Sequence, residues 1–387
     1  MEIRPIRNVI ALLTNQCNLA CPYCFESRDA RRMSIDTAKD ILTFLHGNSQ
    51  RASMTFFGGE PMLEWDSIIV PLITWDREQY QANPARFNMT TNGTLLDEER
   101  LEFLVEQNIH FMLSMDGDRE TQDSGRPMRN GESGFDRLMN IIPSLLKKRP
   151  NQVVRSTLMP ASCGRLFEDL MFFEKTGFQN VAVLPDMFAS WTSEHIELLA
   201  REIGRYESYL IDRYRTGKDP LLFFDYRGSF LLVAQAVQAG KAKQRRTNSE
   251  CRAWNQCGFG IRGSASADVF GNLYACHHAS PLNRDSPFWI GDVYHGLDTD
   301  RAEALIRQYD PMKLGGEKCK DCALDRVCNG GCKPNNYQIF GDFHTVPDIY
   351  CKWYQMLSSS AYRVAKLLGS EGNERFLSSY RSALIGR

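Results

Sequence analysis

"NVIALLTNQCNLACPYCFES", residues 8–27, runs from an apolar segment straight into a loop that places Cys17, Cys21 and Cys24 within eight positions. The run from Asn8 to Thr14 reads as a buried strand. A loop between a strand and the next helix can wrap a cofactor. Three thiols so close together, and only three, ask for a chemistry that leaves a ligand position open.

Five further short runs resemble the first. "SMTFF" (53–57), "RFNMTT" (86–91), "HFMLSM" (110–115), "VVRSTLM" (153–159) and "NVAVL" (180–184) are all rich in strand-forming residues. Amphipathic helices lie between them. Ser34 is a good N-cap, Ala38, Ile41, Leu42 and Leu45 share one face, and Gly47 is placed to end that helix. Asp97 caps a second helix with Leu101, Leu104 and Val105 inward. Leu166, Leu170 and Phe173 stripe a third, closed by Gly177. Ser193 begins a longer one through Ile196, Leu199, Ile203, Tyr206 and Leu210. Six strand–helix units in series predict parallel strands with right-handed crossovers. Six is fewer than the eight of a closed barrel. The expected fold is α/β, an open, partial (β/α)6 barrel with its chemistry at the carboxyl ends of the strands. A flat doubly wound sheet is the alternative that pattern alone does not separate.

The 387 residues and 43% hydrophobic content are enough for two or three domains with real cores. After residue 250 cysteine, glycine and turn residues crowd together and long helical stripes vanish until about Tyr350. The expected domains are therefore 1–230, the barrel, and 231–387, a cysteine-rich, loop-rich unit that needs staples. "KAKQRR" (241–246) reads as a solvated basic linker. The 46 basic and 47 acidic side chains balance to a net charge of −1, which gives no footprint for nucleic acid or an anionic membrane. The longest apolar run near the start, "VIALL", is too short for a signal-peptide core, and nothing approaches a transmembrane length. The expected compartment is the cytoplasm, where twelve cysteines read as ligands or catalysts before disulfides.

A structural zinc takes four ligands, and a catalytic zinc held by three thiolates with no His or carboxylate would be unusual. A cubane iron–sulfur cluster fits better: four irons and three thiolates leave one iron open. "FFGGEP" supplies a second element at the end of the second strand. Gly58 and Gly59 let backbone approach a ligand closely, and the Glu60 carboxylate, before Pro61, can hold an ammonium group. An ordinary strand-to-helix turn is the blander account of the same residues.

Cys17-x3-Cys21-x2-Cys24, with Tyr23 before the last cysteine, resembles the radical S-adenosylmethionine superfamily. The resemblance implies that the open iron chelates the amino and carboxylate groups of S-adenosylmethionine. It also implies that the 5′-deoxyadenosyl radical then takes a hydrogen atom from the substrate. By the same resemblance Gly58, Gly59 and Glu60 grip the methionine amino group, Ser114 contacts the methionine or ribose part, Arg126 binds the carboxylate, and Leu184 packs on adenine.

Eight of the twelve cysteines lie between 251 and 351. "CKDCALDRVCNGGC" gives Cys319-x2-Cys322-x5-Cys328-x3-Cys332, with Cys351 beyond and Cys251, Cys257 and Cys276 upstream. Only one C-x2-C pair is present among these, against the two of a zinc ribbon. The set resembles the SPASM extension of radical enzymes. That implies one auxiliary [4Fe–4S] cluster on Cys251, Cys257, Cys276 and Cys332, and another on Cys319, Cys322, Cys328 and Cys351. With the first cluster this makes three, and Cys163 is left over.

The layout resembles anaerobic sulfatase-maturing enzymes, which make formylglycine, and the maturases of ribosomal peptides, which form thioether or carbon–carbon crosslinks. Two departures argue against the former. Sulfatase maturases carry an aspartate base directly after the cysteine matching Cys276, where this chain has His277, followed by His278. They also carry a glutamine before the two glycines, where this chain has Phe57. The expected function is therefore an oxidative peptide modification, with formylglycine formation as the alternative and an iron–sulfur electron carrier or scaffold as the alternative of another class. Candidate catalytic residues are His277, Cys163 and Asp225, with His278, Asp186 and Glu26 as further bases. An imidazole suits that task near neutral pH. Expected partners are a peptide or protein substrate and a reductant such as flavodoxin or ferredoxin. With Cys17 so early, the expectation is that a separate protein supplies leader recognition or that the substrate is recognised otherwise.

Overall fold

The computed structural model describes residues 4–241, 262–279, 282–308, 317–324, 328 and 330–385. Cys251, Cys257 and all but the first residue of "KAKQRR" lie outside the described residues. The six anticipated strands form as β1 (Arg4–Thr14), β2 (Ser53–Gly58), β3 (Arg86–Thr91), β4 (His110–Ser114), β5 (Val153–Leu158) and β6 (Asn180–Pro185). They pair in parallel, in consecutive order from β1 to β6. A doubly wound sheet reverses its strand order at a switch point; this one never does. With right-handed crossovers that order puts the helices on one face and leaves the other as a barrel lumen. Burial alternates to match: on β5, Val154, Ser156 and Leu158 are buried, while Val153, Arg155 and Thr157 on the lumen face are part-open.

The connecting helices are α1 (Ile35–Asn48), α2 (Val70–Gln79), α3 (Glu98–Glu106), α4 (Arg119–Gly125), α5 (Gly134–Lys148), α6 (Leu166–Thr176) and α7 (Ser193–Arg215). Ser34 caps α1 by accepting from Thr37 N, and the helix runs past Gly47 to Asn48. Asp97 caps α3, and Gly177 closes α6 at φ 104°. α7 begins at Ser193 as anticipated, with Thr192 as its cap.

The C-terminal part departs furthest from expectation. It contributes α8 (Phe224–Lys241), β7 (Arg262–Ala267), β8 (Asn272–Tyr274), β9 (Trp289–Asp292), β10 (Gly296–Leu297), α9 (Thr299–Gln308), α10 (Lys333–Phe340), α11 (Asp348–Ser370) and α12 (Glu374–Ile385). β7 pairs in parallel with the free edge of β1, and β8, β9 and β10 continue antiparallel from it into one ten-stranded sheet. Pairing covers an edge that would otherwise expose unpaired backbone groups. α11 packs on α7 and α8, where Tyr226 Oη and Ser360 Oγ are 2.8 Å apart. α8 runs through the anticipated 230/231 boundary. One apolar core extends from Ile6 on β1 to Trp353, Leu357 and Val364 on α11. The cysteine-rich part therefore shares a core and does not depend on staples alone. Among the described residues no helix is long and apolar enough to cross a membrane.

Candidate active site

The cysteine loop is held against the carboxyl ends of β2 and β3 by its own backbone. Gly59 N donates to Thr14 O at 2.8 Å and Glu60 N to Gln16 O at 2.9 Å. A Cβ on Gly58 would lie 2.3 Å from Thr14 O, and one on Gly59 2.1 Å from Gln16 O. The close approach these glycines permit is made to the loop that carries Cys17, where the sequence alone predicts a ligand. Glu60 is buried and accepts from Thr91 Oγ1 (2.7 Å), Asn92 N (2.7 Å) and Met62 N (3.1 Å). Burial pushes its carboxyl up to about 7 against the pull of those hydrogen bonds. Asn92 carries the tie onward, donating to Asn18 Oδ1 at 2.9 Å and reaching Cys17 Sγ at 3.8 Å. Leu19 N also donates to that sulfur, at 3.3 Å.

Burial pushes the Cys17 thiol up to about 12, and the nearby Glu60, Cys21 and Cys24 raise it further, against the Leu19 hydrogen bond. Burial likewise raises Cys21. Left alone, these two thiols stay protonated at neutral pH; a cationic metal partner converts them to thiolates. Three clustered thiols without a carboxylate or imidazole among them are the donor set of an iron–sulfur cluster. Among the described residues no three His, Cys, Asp or Glu side chains converge as the ligands of one ion do.

At the end of β4 the structure adds a residue that sequence reasoning passed over. Asp116 accepts from Tyr23 Oη at 2.5 Å and Thr157 N at 2.8 Å, and pairs with Arg126 at 3.0 Å. The Arg126 guanidinium lies 5.4 Å from the centre of the Tyr23 ring. "SMDG" holds this aspartate in plain view, but only the fold brings Tyr23, Arg126 and β5 to it. Arg126 Nε is buried with no hydrogen-bond partner. A donor orphaned in this way fits the carboxylate of an amino-acid ligand. Ser114 ends β4, and Leu184 lies on β6 opposite Thr157 of β5.

Two further candidates sit in the turn after β8. His277 meets Phe57 edge-on at 4.7 Å, His278 stacks on Phe25 at 4.6 Å, and the two imidazoles are 4.4 Å apart. Gln338 of α10 braces the turn by donating to His278 O at 2.8 Å. Burial pushes His277 well below the usual imidazole range, and pushes His278 down to about 4 with help from Arg155. Both rings are neutral at pH 7, and His277 Nδ1 is buried without a partner.

The remaining candidates are not gathered around that turn. Cys163 is fully buried in a 3-10 turn packed on α7, where its Sγ lies 3.7 Å from His195 O. Burial raises its thiol, as for an inert core cysteine. Asp225 accepts from Val183 N and Tyr354 Oη, both at 3.2 Å, and so covers the free edge of β6. Asp186 folds its own loop by accepting from Phe188 N at 2.9 Å. Of the C-terminal cysteines, Cys351 is pushed up to about 11 by burial, with Cys328 and Cys319 close enough to raise it further, and Gln355 donates to Cys322 Sγ at 3.6 Å. Cys276 precedes the His277 turn, and Cys332 heads α10, which packs on that turn.

Glu26 makes a pH prediction. It is buried beside Phe25, its Oε1 has no partner, and burial pushes its carboxyl up to about 8. A carboxyl whose folded pKa exceeds its unfolded value stabilises fully below the unfolded pKa and loses that contribution as pH rises through the folded one. A tenfold change in proton affinity between the two states corresponds to about 1.4 kcal/mol. Metal-free protein should lose stability between pH 4.5 and 8. Glu26→Gln should be more stable than the parent at high pH by a few kcal/mol, roughly in line with that conversion. Urea midpoints at both pH values check this; parallel pH profiles for parent and variant would reject it.

Residues 12–172 match the Radical SAM superfamily. The chain is 22% identical to a cysteine-type anaerobic sulfatase-maturating enzyme of Clostridium perfringens, over 85% of this chain and 89% of that one. It is 21% identical to the radical SAM cyclopropyl synthase TigE of Paramaledivibacter caminithermalis, over 91% and 73%. Its fold superposes on that of native anSMEcpe with bound AdoMet and Cp18Cys peptide with a TM-score of 0.71, at 18% identity, covering 95% of this chain and 99% of that one. Residues 12–172 of the chain are a radical SAM domain. The chain's α/β fold, with a parallel sheet core and a cysteine-rich C-terminal part, is that of those enzymes.

Proposed function

We propose that this protein cleaves S-adenosylmethionine reductively and oxidises a peptide substrate, leaving a thioether or carbon–carbon crosslink. On this proposal Cys17, Cys21 and Cys24 hold the first [4Fe–4S] cluster, within a radical domain of residues 1–230. Residues 231–387 form a SPASM domain in which Cys251, Cys257, Cys276 and Cys332 hold one auxiliary cluster and Cys319, Cys322, Cys328 and Cys351 the other. When bound, the clusters supply the electron that opens the sulfonium and accept the one the substrate gives up. Tyr23, Gly58, Gly59, Glu60, Ser114, Arg126 and Leu184 form the cosubstrate pocket. His277 Nδ1, neutral and without a partner, takes the proton the substrate loses. A cytoplasmic reductant of the flavodoxin or ferredoxin class completes the system.

One contact supports crosslinking over formylglycine formation. The two departures from sulfatase maturases, Phe57 and His277, pack against each other. A glutamine–aspartate pair would make that spot polar and anionic; a phenyl edge on a neutral imidazole makes it apolar. Anaerobic protein given dithionite and S-adenosylmethionine should form 5′-deoxyadenosine. A peptide encoded beside the gene should then lose two hydrogens. Formylglycine in a sulfatase-derived cysteine or serine peptide would select the other maturase activity. No deoxyadenosine at all would leave an electron carrier.

A further inference from the structure

Arg155 stands in the middle of the lumen, at a position no motif singles out. It lies on the part-open face of β5, directly opposite Ser114 of β4. Buried Val154 and Ser156 on either side turn the other way. Its guanidinium presents five N–H donors in a fixed fork. One of these donates to Ser156 O, its only hydrogen bond among the described residues. Among the described residues Arg155 forms no ion pair, although every acid around it is engaged. Asp116 pairs with Arg126 and accepts from Tyr23 and Thr157. Asp225, whose charge supports that of Arg155, accepts instead from Val183 N and Tyr354 Oη. None of the Arg155 nitrogens is among the atoms sealed from solvent without a partner, so the unused donors open to the lumen. A cation drawn into a protein interior is normally paired, and a planar fork matches a carboxylate two bonds at a time.

We propose that Arg155 is a carboxylate-binding site in the lumen, and that the carboxylate belongs to an acidic side chain or chain terminus of the substrate. The proposal rests on the peptide-modifying function above and deepens it by naming a chemical feature of the peptide. Arg126, with its orphaned Nε, serves the cosubstrate carboxylate, so the two guanidinium groups divide two anions between them. The aromatic edge at Phe57 and His277 receives an apolar part of the substrate, and Arg155 fixes the register by an acid nearby.

Binding without turnover tests this. Reconstituted anaerobic protein is titrated with dansylglycylglutamate and with dansylglycylglutamine, read by fluorescence anisotropy, and with S-adenosylmethionine, read by calorimetry. The parent should bind the acidic probe at least about tenfold more tightly, the scale of one charge-assisted hydrogen bond. Arg155→Gln should erase that preference and leave S-adenosylmethionine affinity unchanged, while Arg155→Lys should keep part of it. Three outcomes overturn the proposal. The parent shows no preference for the acid. The variant loses S-adenosylmethionine binding instead, which assigns the site to the cosubstrate. Or both probes weaken alike with a lowered melting temperature, which makes Arg155 structural. Deoxyadenosine formation by the parent without any probe reports separately on the radical chemistry, so the two ideas fail independently.

Discussion

Cys17→Ala is expected to abolish 5′-deoxyadenosine formation, to below about 1% of the parent rate, and, on the three-cluster proposal, to remove about a third of the bound iron. The first effect exceeds any a hydrogen bond could give, because a cubane short of one of three thiolates is not held where the cosubstrate pocket needs it. The protein itself should survive. Cys17 is only half-buried, its sulfur accepts one backbone hydrogen bond from Leu19, and Asn92 keeps its better partner in Asn18. Removing one small side chain from such a place costs on the order of 1 kcal/mol. Iron content, absorbance and melting temperature, measured on the same anaerobic sample as the activity, separate lost ligation from lost fold. Undiminished deoxyadenosine production by the variant would remove Cys17 from the site.

The parallel half of the fold was legible because its signals are local. β3 falls on "RFNMTT" residue for residue, and Ser34, Asp97 and Gly177 act as caps and closure where the sequence places them. α5 escaped notice because Pro143 sits inside it, although Leu138, Ile141, Ile142 and Leu145 form a regular stripe. The addition of β7 to β1 was not legible at all. It joins residues more than 250 positions apart, and "RGSASA" carries none of the branched or aromatic residues that announce a strand.

The site divides in the same way. Cys17, Cys21, Cys24 and Glu60 were visible as spacing and motif. Asp116 and Arg155 were not, because an aspartate in a turn and an arginine in a strand look ordinary until three elements converge on the one and none pairs with the other. Phe57 and His277 were each noted as a departure from sulfatase maturases. Their contact is a fact of the fold, since 220 residues separate them, and it turns two isolated oddities into one apolar surface.

Gly59→Ala should be severely damaging for a single methyl group, costing on the order of 3 kcal/mol, the upper end for overpacking. Its Cβ would sit 2.1 Å from Gln16 O and 2.6 Å from the carbon of the same carbonyl. Both are backbone atoms of the cysteine loop, so no side chain can rotate away to make room. Relief requires the loop to move outward, which stretches the Glu60 N to Gln16 O bond and shifts Cys17 relative to Asn92. Stability and iron retention should therefore fall together. Gly204 supplies the control. It lies inside α7 with nothing within 4 Å of a Cβ, and alanine there should stabilise by about 1 kcal/mol through helix propensity alone. Opposite signs for the two substitutions, in denaturant melts of otherwise identical protein, would show that the glycine of "GGEP" is fixed by contact with the cysteine loop. If Gly59→Ala kept its iron and melted within 0.5 kcal/mol of the parent, roughly the scatter of a neutral surface change, the loop would not be pinned there. The coupling between β2 and the three thiols would then have to come from Glu60 and Asn92 alone.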